Sequence, residues 1–180
     1  MVYLFLAEGF EEIEALCPLD LLRRAGADVK TVGVTGAWVK GSHGITVQAD
    51  IACRDIVLDE SLEMVIFPGG MPGTTNLENS KEAMDALDYA YRHGVTIAAI
   101  CAAPSIPGKR GYLSGRNAVC FPGFEKYLTG ANISEKSVVT DENFITGKGM
   151  GAALPFGLAL VESLYGPDEA EKLRANIQAK

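Results

Sequence analysis

The chain has 180 residues, 48% hydrophobic and 22% charged, with 16 Lys and Arg against 23 Asp and Glu and a formal net charge of −7. That size and balance describe one globular domain over residues 1–180, able to bury a core without a metal or disulfide staple. The acidic surplus lacks the basic footprint of a nucleic-acid binder, and the Met1–Leu6 run is too short to span a membrane and leads straight into Glu8, Glu11 and Glu12, so neither nucleic acid nor membrane is an expected partner and a cytoplasmic location is expected.

In chain order, β-rich runs at Val2–Leu6, Val29–Val34, Met64–Phe67, Val95–Ile100, Asn117–Cys120 and Phe144–Thr146 predict strands. Between Glu11 and Ala25, apolar Ile13, Leu16, Leu19, Leu21 and Leu22 predict a helix that closes on Arg23, Arg24 and Gly26, with Pro18 predicting a kink or an irregular first turn. Trp38–Val47 reads as two extended pieces around a Gly-rich turn, a small hairpin added to the sheet edge. Ser80–His93 has an N-cap in Ser80 and a stop in Gly94; Ala152–Leu164 and Asp168–Gln178, the latter opened by Pro167, predict two more helices. Apolar strands alternating with helices indicate an α/β, doubly wound, mostly parallel sheet covered on both faces.

Ligands of such sheets bind outside the carboxyl ends of the strands, here after Leu6, Phe67, Ile100 and Thr146. The third end reads Ile100-Cys101-Ala102-Ala103-Pro104, a strand running into a cysteine, small residues and a helix start. That is the layout of a nucleophile elbow, with a strained backbone expected at Cys101 and a helix N-terminus expected to lower its thiol pKa. After Phe67 come Pro68, Gly69 and Gly70, which let backbone N–H groups approach a ligand; the N–H groups of Gly70 and Ala102 are the candidate oxyanion donors. Glu11, Glu12 and Glu14 follow the first strand. Glu11 and Glu12 suit solvated charge at a helix start, whereas the apolar flanks of Glu14 suit a carboxyl facing the crevice, protonated and donating to sulfur.

The chain has 4 cysteines, Cys17, Cys53, Cys101 and Cys120, without a Cys-x-x-Cys pair, and they read as reduced thiols rather than a metal site. It has 2 histidines. His93 ends a helix at the wrong edge of the sheet, and His43 lies in the hairpin turn, so a Cys–Glu pair without a required imidazole is the economical arrangement. Gly147-Lys148-Gly149-Met150-Gly151-Ala152 matches a dinucleotide fingerprint, but no further strand follows it; it reads as a tight strand-to-helix turn. No cofactor and no metal is expected.

Glu11-Glu12-Ile13-Glu14, Pro68-Gly69-Gly70 and Ala98-Ala99-Ile100-Cys101-Ala102-Ala103-Pro104, in this order and spacing, resemble the DJ-1/PfpI (ThiJ) superfamily, and its DJ-1 branch most. Asp20–Gly26, Phe121–Glu125 and Phe156–Glu162 extend the resemblance. It implies a flavodoxin-like fold, a homodimer, Cys101 as the reactive cysteine, Glu14 as its acidic partner, and Gly69, Gly70 and Ala102 at the oxyanion and substrate positions. His43, Cys120, Phe121 and Lys148 are accessory candidates, Cys120 as either a resolving thiol or an inert core residue. The peptidase branch of the superfamily has a histidine directly after the cysteine, where this chain has Ala102; DJ-1 itself has one near the cysteine, where this chain has Phe121, and Lys148 and Met150 occupy a loop that more often reads Arg and Pro.

Two functions follow as expectations. One is glutathione-independent glyoxalase or deglycase chemistry on small reactive carbonyls through Cys101 and Glu14. The other is a redox-sensing stress-response or chaperone protein in which Cys101 is oxidised to the sulfinate. Intracellular peptidase or amidase activity is disfavoured by Ala102.

Overall fold

A computed structural model describes residues 1–179. The elements run β1 (Val2–Leu6), α1 (Glu12–Arg24), β2 (Val29–Gly33), β3 (Trp38–Lys40), β4 (Thr46–Gln48), β5 (Ile51–Ala52), β6 (Met64–Phe67), α2 (Gly73–Glu78), α3 (Lys81–His93), β7 (Thr96–Ile100), α4 (Ser105–Lys109), β8 (Asn117–Ala118), β9 (Asn132–Ile133), β10 (Val138–Asp141), β11 (Phe144–Gly147), α5 (Ala153–Tyr165) and α6 (Pro167–Asn176).

Seven strands form the main sheet in the order β10-β11-β7-β6-β1-β2-β5. Every pairing is parallel except β10 with β11. Side chains alternate between two cores. Tyr3, Phe5, Val65, Phe67, Ile97 and Ala99 meet Ala83, Leu87 and Ala90 of α3 on one face. Leu4, Leu6, Met64, Ile66, Ala98 and Ile100 meet α1, α5 and α6 on the other. Burial on both faces explains why these strands read as unbroken apolar runs. The flavodoxin-like α/β expectation holds. The order of strands reverses between β1 and β6, so their carboxyl ends, with that of β7, open the crevice where such folds bind ligands.

The helix termini follow their local chemistry. Ser80 Oγ accepts the Ala83 N–H at 3.3 Å, and Gly94 closes α3 at φ 68°. Pro18, however, does not break α1, which runs continuously through it. Packing holds the helix there: a Cβ on Gly157 of α5 would lie 3.0 Å from Pro18 Cα, so the two helices cross closely at that point.

Two further expectations are corrected. The β3–β4 hairpin forms a separate two-stranded sheet, and the edge strand beside β2 is β5. Instead of extending the edge, the hairpin folds over the start of α1: Gly9 N–H donates to Lys40 O and Ser42 N–H to Phe10 O, both at 2.8 Å. Of Asn117–Cys120 only Asn117–Ala118 are strand, paired with β9 in another small sheet. The short antiparallel β10 was not anticipated; its Val138 and Asp141 are half-buried and Thr140 is exposed, so it lacks the apolar run of the central strands. No helix among the described residues is long and apolar enough to cross a membrane.

Candidate active site

Cys101 follows the last residue of β7 and adopts φ 66°, a left-handed conformation that costs a non-glycine residue about 1–2 kcal/mol. Two main-chain hydrogen bonds hold it there. Its N–H donates to Gly147 O at 2.9 Å, and its carbonyl accepts the Phe121 N–H at 2.8 Å. The end of β11 and the segment after β8 therefore fix the turn, and the strain expected at the elbow is present. A run of turn, Ala102-Ala103-Pro104, separates the cysteine from α4, whose five residues make only a short helix.

Glu14, in the first turn of α1, is 1% exposed. Glu11 caps this helix, its Oε2 accepting the Glu14 N–H at 2.7 Å. Glu14 Oε2 accepts the Gly69 N–H at 3.0 Å, while Oε1 is buried without a hydrogen-bond partner. A Cβ on Gly69 would lie 2.6 Å from both Cys101 Cβ and Glu14 Oε2, so the absent side chain of Gly69 is what brings carboxyl and cysteine together. Gly70 has φ 89°, and a Cβ there would strike Glu11 N at 2.4 Å.

The pair holds its protons tightly. Burial pushes Glu14 up to about 7, aided by the Glu11 charge and opposed by its contacts with Cys101 and the Gly69 N–H. Burial also pushes the Cys101 thiol up, with the adjacent Glu14 charge adding to it and the N–H groups of Ala102 and Gly70 opposing it. The expected lowering by a helix N-terminus is thus overturned: α4 is too short, and desolvation beside a carboxylate dominates. One buried space accommodates one negative charge, not two. The unpartnered Oε1 is the oxygen free to carry the proton of a neutral Glu14, Oε2 accepts from Gly69, and the Ala102 and Gly70 N–H groups face the sulfur.

Glu12 differs from the solvated charge expected. It is 2% exposed and accepts His43 N–H at 2.7 Å and Ile45 N–H at 3.3 Å, with His43 Nδ1 at 3.0 Å from its other oxygen. Burial alone would raise its pKa, but the hydrogen bonds from His43 and Ile45 hold it low. Glu12 reciprocally raises His43, whose ring is 71% exposed. A Cβ on Gly41 would strike this carboxylate at 2.4 Å. Glu12 therefore pins the hairpin over the helix start, a role that a local sequence pattern does not signal because its partners lie about thirty residues downstream.

Neither histidine partners the thiol. The partners of His43 are Glu12, Glu11 and Ser42, and His93 Nδ1 lies 2.8 Å from Tyr89 O at the end of α3. Donor atoms of Glu11, Glu12 and His43 lie within 4.8 Å of one another, but the carboxylates are engaged by the helix cap and the hairpin. Cys120 is 3% exposed and packs in the core of the opposite sheet face, with its thiol pushed up to about 11 by burial and the Glu125 charge. Cys101 packs against the α1–α5 side, and its carbonyl accepts the N–H of Phe121, the residue after Cys120. Phe121 and Lys148 lie in the wall of an apolar cavity beside the elbow.

Known proteins share this architecture. The family model described as DJ-1/PfpI family matches residues 1–163. Protein DJ-1 homolog B of Arabidopsis thaliana is 37% identical over 167 residues, 91% of this chain and 38% of that protein. The chain thus spans less than half the length of that relative. Glutathione-independent glyoxalase DJR-1.2 of Caenorhabditis elegans is 32% identical over 92% of this chain and 89% of that protein. The structure of oxidized Toxoplasma gondii DJ-1 superposes with a TM-score of 0.93 at 34% identity, covering 99% of this chain and 97% of that one. With the family model covering nearly the whole sheet and its crevice, this chain belongs to the DJ-1/PfpI family.

Proposed function

We propose that the protein converts small 2-oxoaldehydes to 2-hydroxy acids without glutathione, with Cys101 as nucleophile and Glu14 as proton carrier. The observation that carries this reading is the buried Glu14 carboxyl, one oxygen unpartnered, packed over Gly69 together with the strained Cys101. The similarity to a protein named a glutathione-independent glyoxalase supports it.

The Cys101 sulfur adds to the aldehyde carbon, forming the C–S bond, while Glu14 as the carboxylate takes the thiol proton and hands it to the aldehyde oxygen. The N–H groups of Gly70 and Ala102 hold the oxygen while it is negative. Glu14, now a carboxylate, removes the hydrogen of the same carbon as a proton and returns it to the neighbouring carbon; the hydroxyl proton passes to the second oxygen. A thioester of the 2-hydroxy acid results. Water, deprotonated by Glu14, then cleaves the C–S bond; Glu14 returns that proton to the departing sulfur, and the carboxyl proton of the released 2-hydroxy acid goes to solvent. Aldehyde and water are consumed, and no external oxidant or reductant enters. Burial serves both ends of the cycle: a carboxyl near pKa 7 donates and accepts protons at neutral pH.

Lactate formation from methylglyoxal in glutathione-free buffer tests the proposal. Wild type forms lactate; Cys101→Ser and Glu14→Gln lose at least about a hundredfold in kcat/KM. Equal rates in all three reject it.

A second reading rests on exposure together with position. Cys101 and Cys17 are half-buried, whereas Cys53 and Cys120 are buried, and of the two half-buried thiols Cys101 is the one beside the buried Glu14 carboxyl. Peroxide oxidises the half-buried Cys101 sulfur through its thiolate form, one equivalent giving sulfenate and water and a second giving sulfinate and water. A protonated Glu14 beside the sulfinate would donate to its oxygen, which makes the site a stopping point for oxidation and supports a redox-sensing role.

A further inference from the structure

Phe121 and Met150 are large apolar side chains left 47% and 54% exposed. Both line a cavity of about 450 Å³, together with Pro122, Lys148, Gly149 and Ala152. That volume falls in the range of small-molecule sites. The cavity is tied to the elbow by the main chain. Phe121 N–H donates to Cys101 O at 2.8 Å, and Cys101 N–H donates at 2.9 Å to the carbonyl of Gly147, the residue before Lys148. Gly149 is tightly matched to the ring, since a Cβ there would stand 3.2 Å from Phe121 Cδ2.

We propose that this cavity seats the non-reacting substituent of the substrate, and that this substituent is an aromatic ring. The inference rests on the 2-oxoaldehyde reading of Cys101 and assigns the substrate class: aryl 2-oxoaldehydes. Two wall groups have specific attraction for a ring. Phe121 offers stacking or edge contact and the Met150 thioether a sulfur–aromatic contact. A methyl group satisfies neither. Small walls at Gly149 and Ala152 leave room for a flat group.

The test compares kcat/KM for phenylglyoxal, read as mandelate, with that for methylglyoxal, read as lactate. In wild type the ratio is about tenfold or more in favour of phenylglyoxal. Phe121→Ala and Met150→Ala each lower the ratio by at least about fivefold, chiefly through KM for phenylglyoxal, and the Phe121 N–H bond to Cys101 survives the truncation. A wild-type ratio at or below one, or a ratio unmoved by both variants while turnover still depends on Cys101, overturns the aryl seat. Loss of Cys101 dependence for both aldehydes rejects the underlying reaction instead. Calorimetric binding of mandelate and lactate to Cys101→Ser protein tests the seat without turnover. Mandelate binding tighter than lactate, weakened about tenfold by adding Phe121→Ala, supports it; equal binding of the two acids contradicts it.

Discussion

Gly69 and Glu14 are joined by a hydrogen bond of 3.0 Å between residues 55 apart in sequence, and the space above Gly69 is filled by the two side chains of the site. Gly69→Ala places a methyl group 2.6 Å from Cys101 Cβ and Glu14 Oε2, so one or both must move. The expected outcome is a loss of about a hundredfold in kcat/KM, because misplacement by about 1 Å is costly in a positioned pair. Steady-state kinetics beside a thermal melt separates this from unfolding.

Glu14 makes stability depend on pH. Its pKa rises from 4.5 to about 7 on folding, so its folded form retains the proton longer than the unfolded one. The contribution is full below about pH 4.5 and is lost as pH rises through about 7, on the order of 3 kcal/mol in total, most of it between pH 5 and pH 8. Denaturant titrations at pH 5 and pH 8 are expected to show wild type losing this increment relative to Glu14→Gln, whose amide does not titrate. Parallel pH profiles for the two proteins would contradict a buried carboxyl.

Glu12 has the opposite sign. Its folded pKa lies below the usual value, so its contribution is present above about pH 4.5 and is lost as pH falls through the folded pKa. Glu12→Ala leaves the N–H groups of His43 and Ile45 without their acceptor and is expected to cost about 1–3 kcal/mol. Hydrogen exchange then shows faster exchange across residues 41–45, with the main sheet protected as before.

Graded peroxide followed by peptide mass spectrometry orders the thiols. Cys101 is expected to reach the sulfinate before Cys17, Cys53 and Cys120; burial raises all four thiols, so the order follows access and the adjacent Glu14 rather than pKa. Oxidation of Cys120 in step with Cys101 would contradict an order set by access.

Much of the fold is legible because its causes are local. The runs Val2–Leu6 and Met64–Phe67 are apolar at every position since both faces are covered, and Ser80 and Gly94 bound α3 by their own backbone chemistry. The elbow at Cys101 is legible for the same reason: a strand ends in small residues. What depends on distant parts of the chain is not. The hairpin's seat over α1 is set by burial of Glu12, and nothing in Gly41–Ile45 distinguishes that from a sheet edge. The direction of the Cys101 shift depends on how close Glu14 comes and on the shortness of α4, both consequences of packing.

The most direct test of the Cys101–Glu14 chemistry is mass spectrometry of the Cys101 peptide after rapid quenching during methylglyoxal turnover. The expected result is one methylglyoxal-derived adduct on Cys101, accumulating in Glu14→Gln, where the adduct forms but its proton is not moved, and absent from Cys101→Ser. Lactate production by wild type with no adduct on Cys101, or undiminished production by Cys101→Ser, would contradict it.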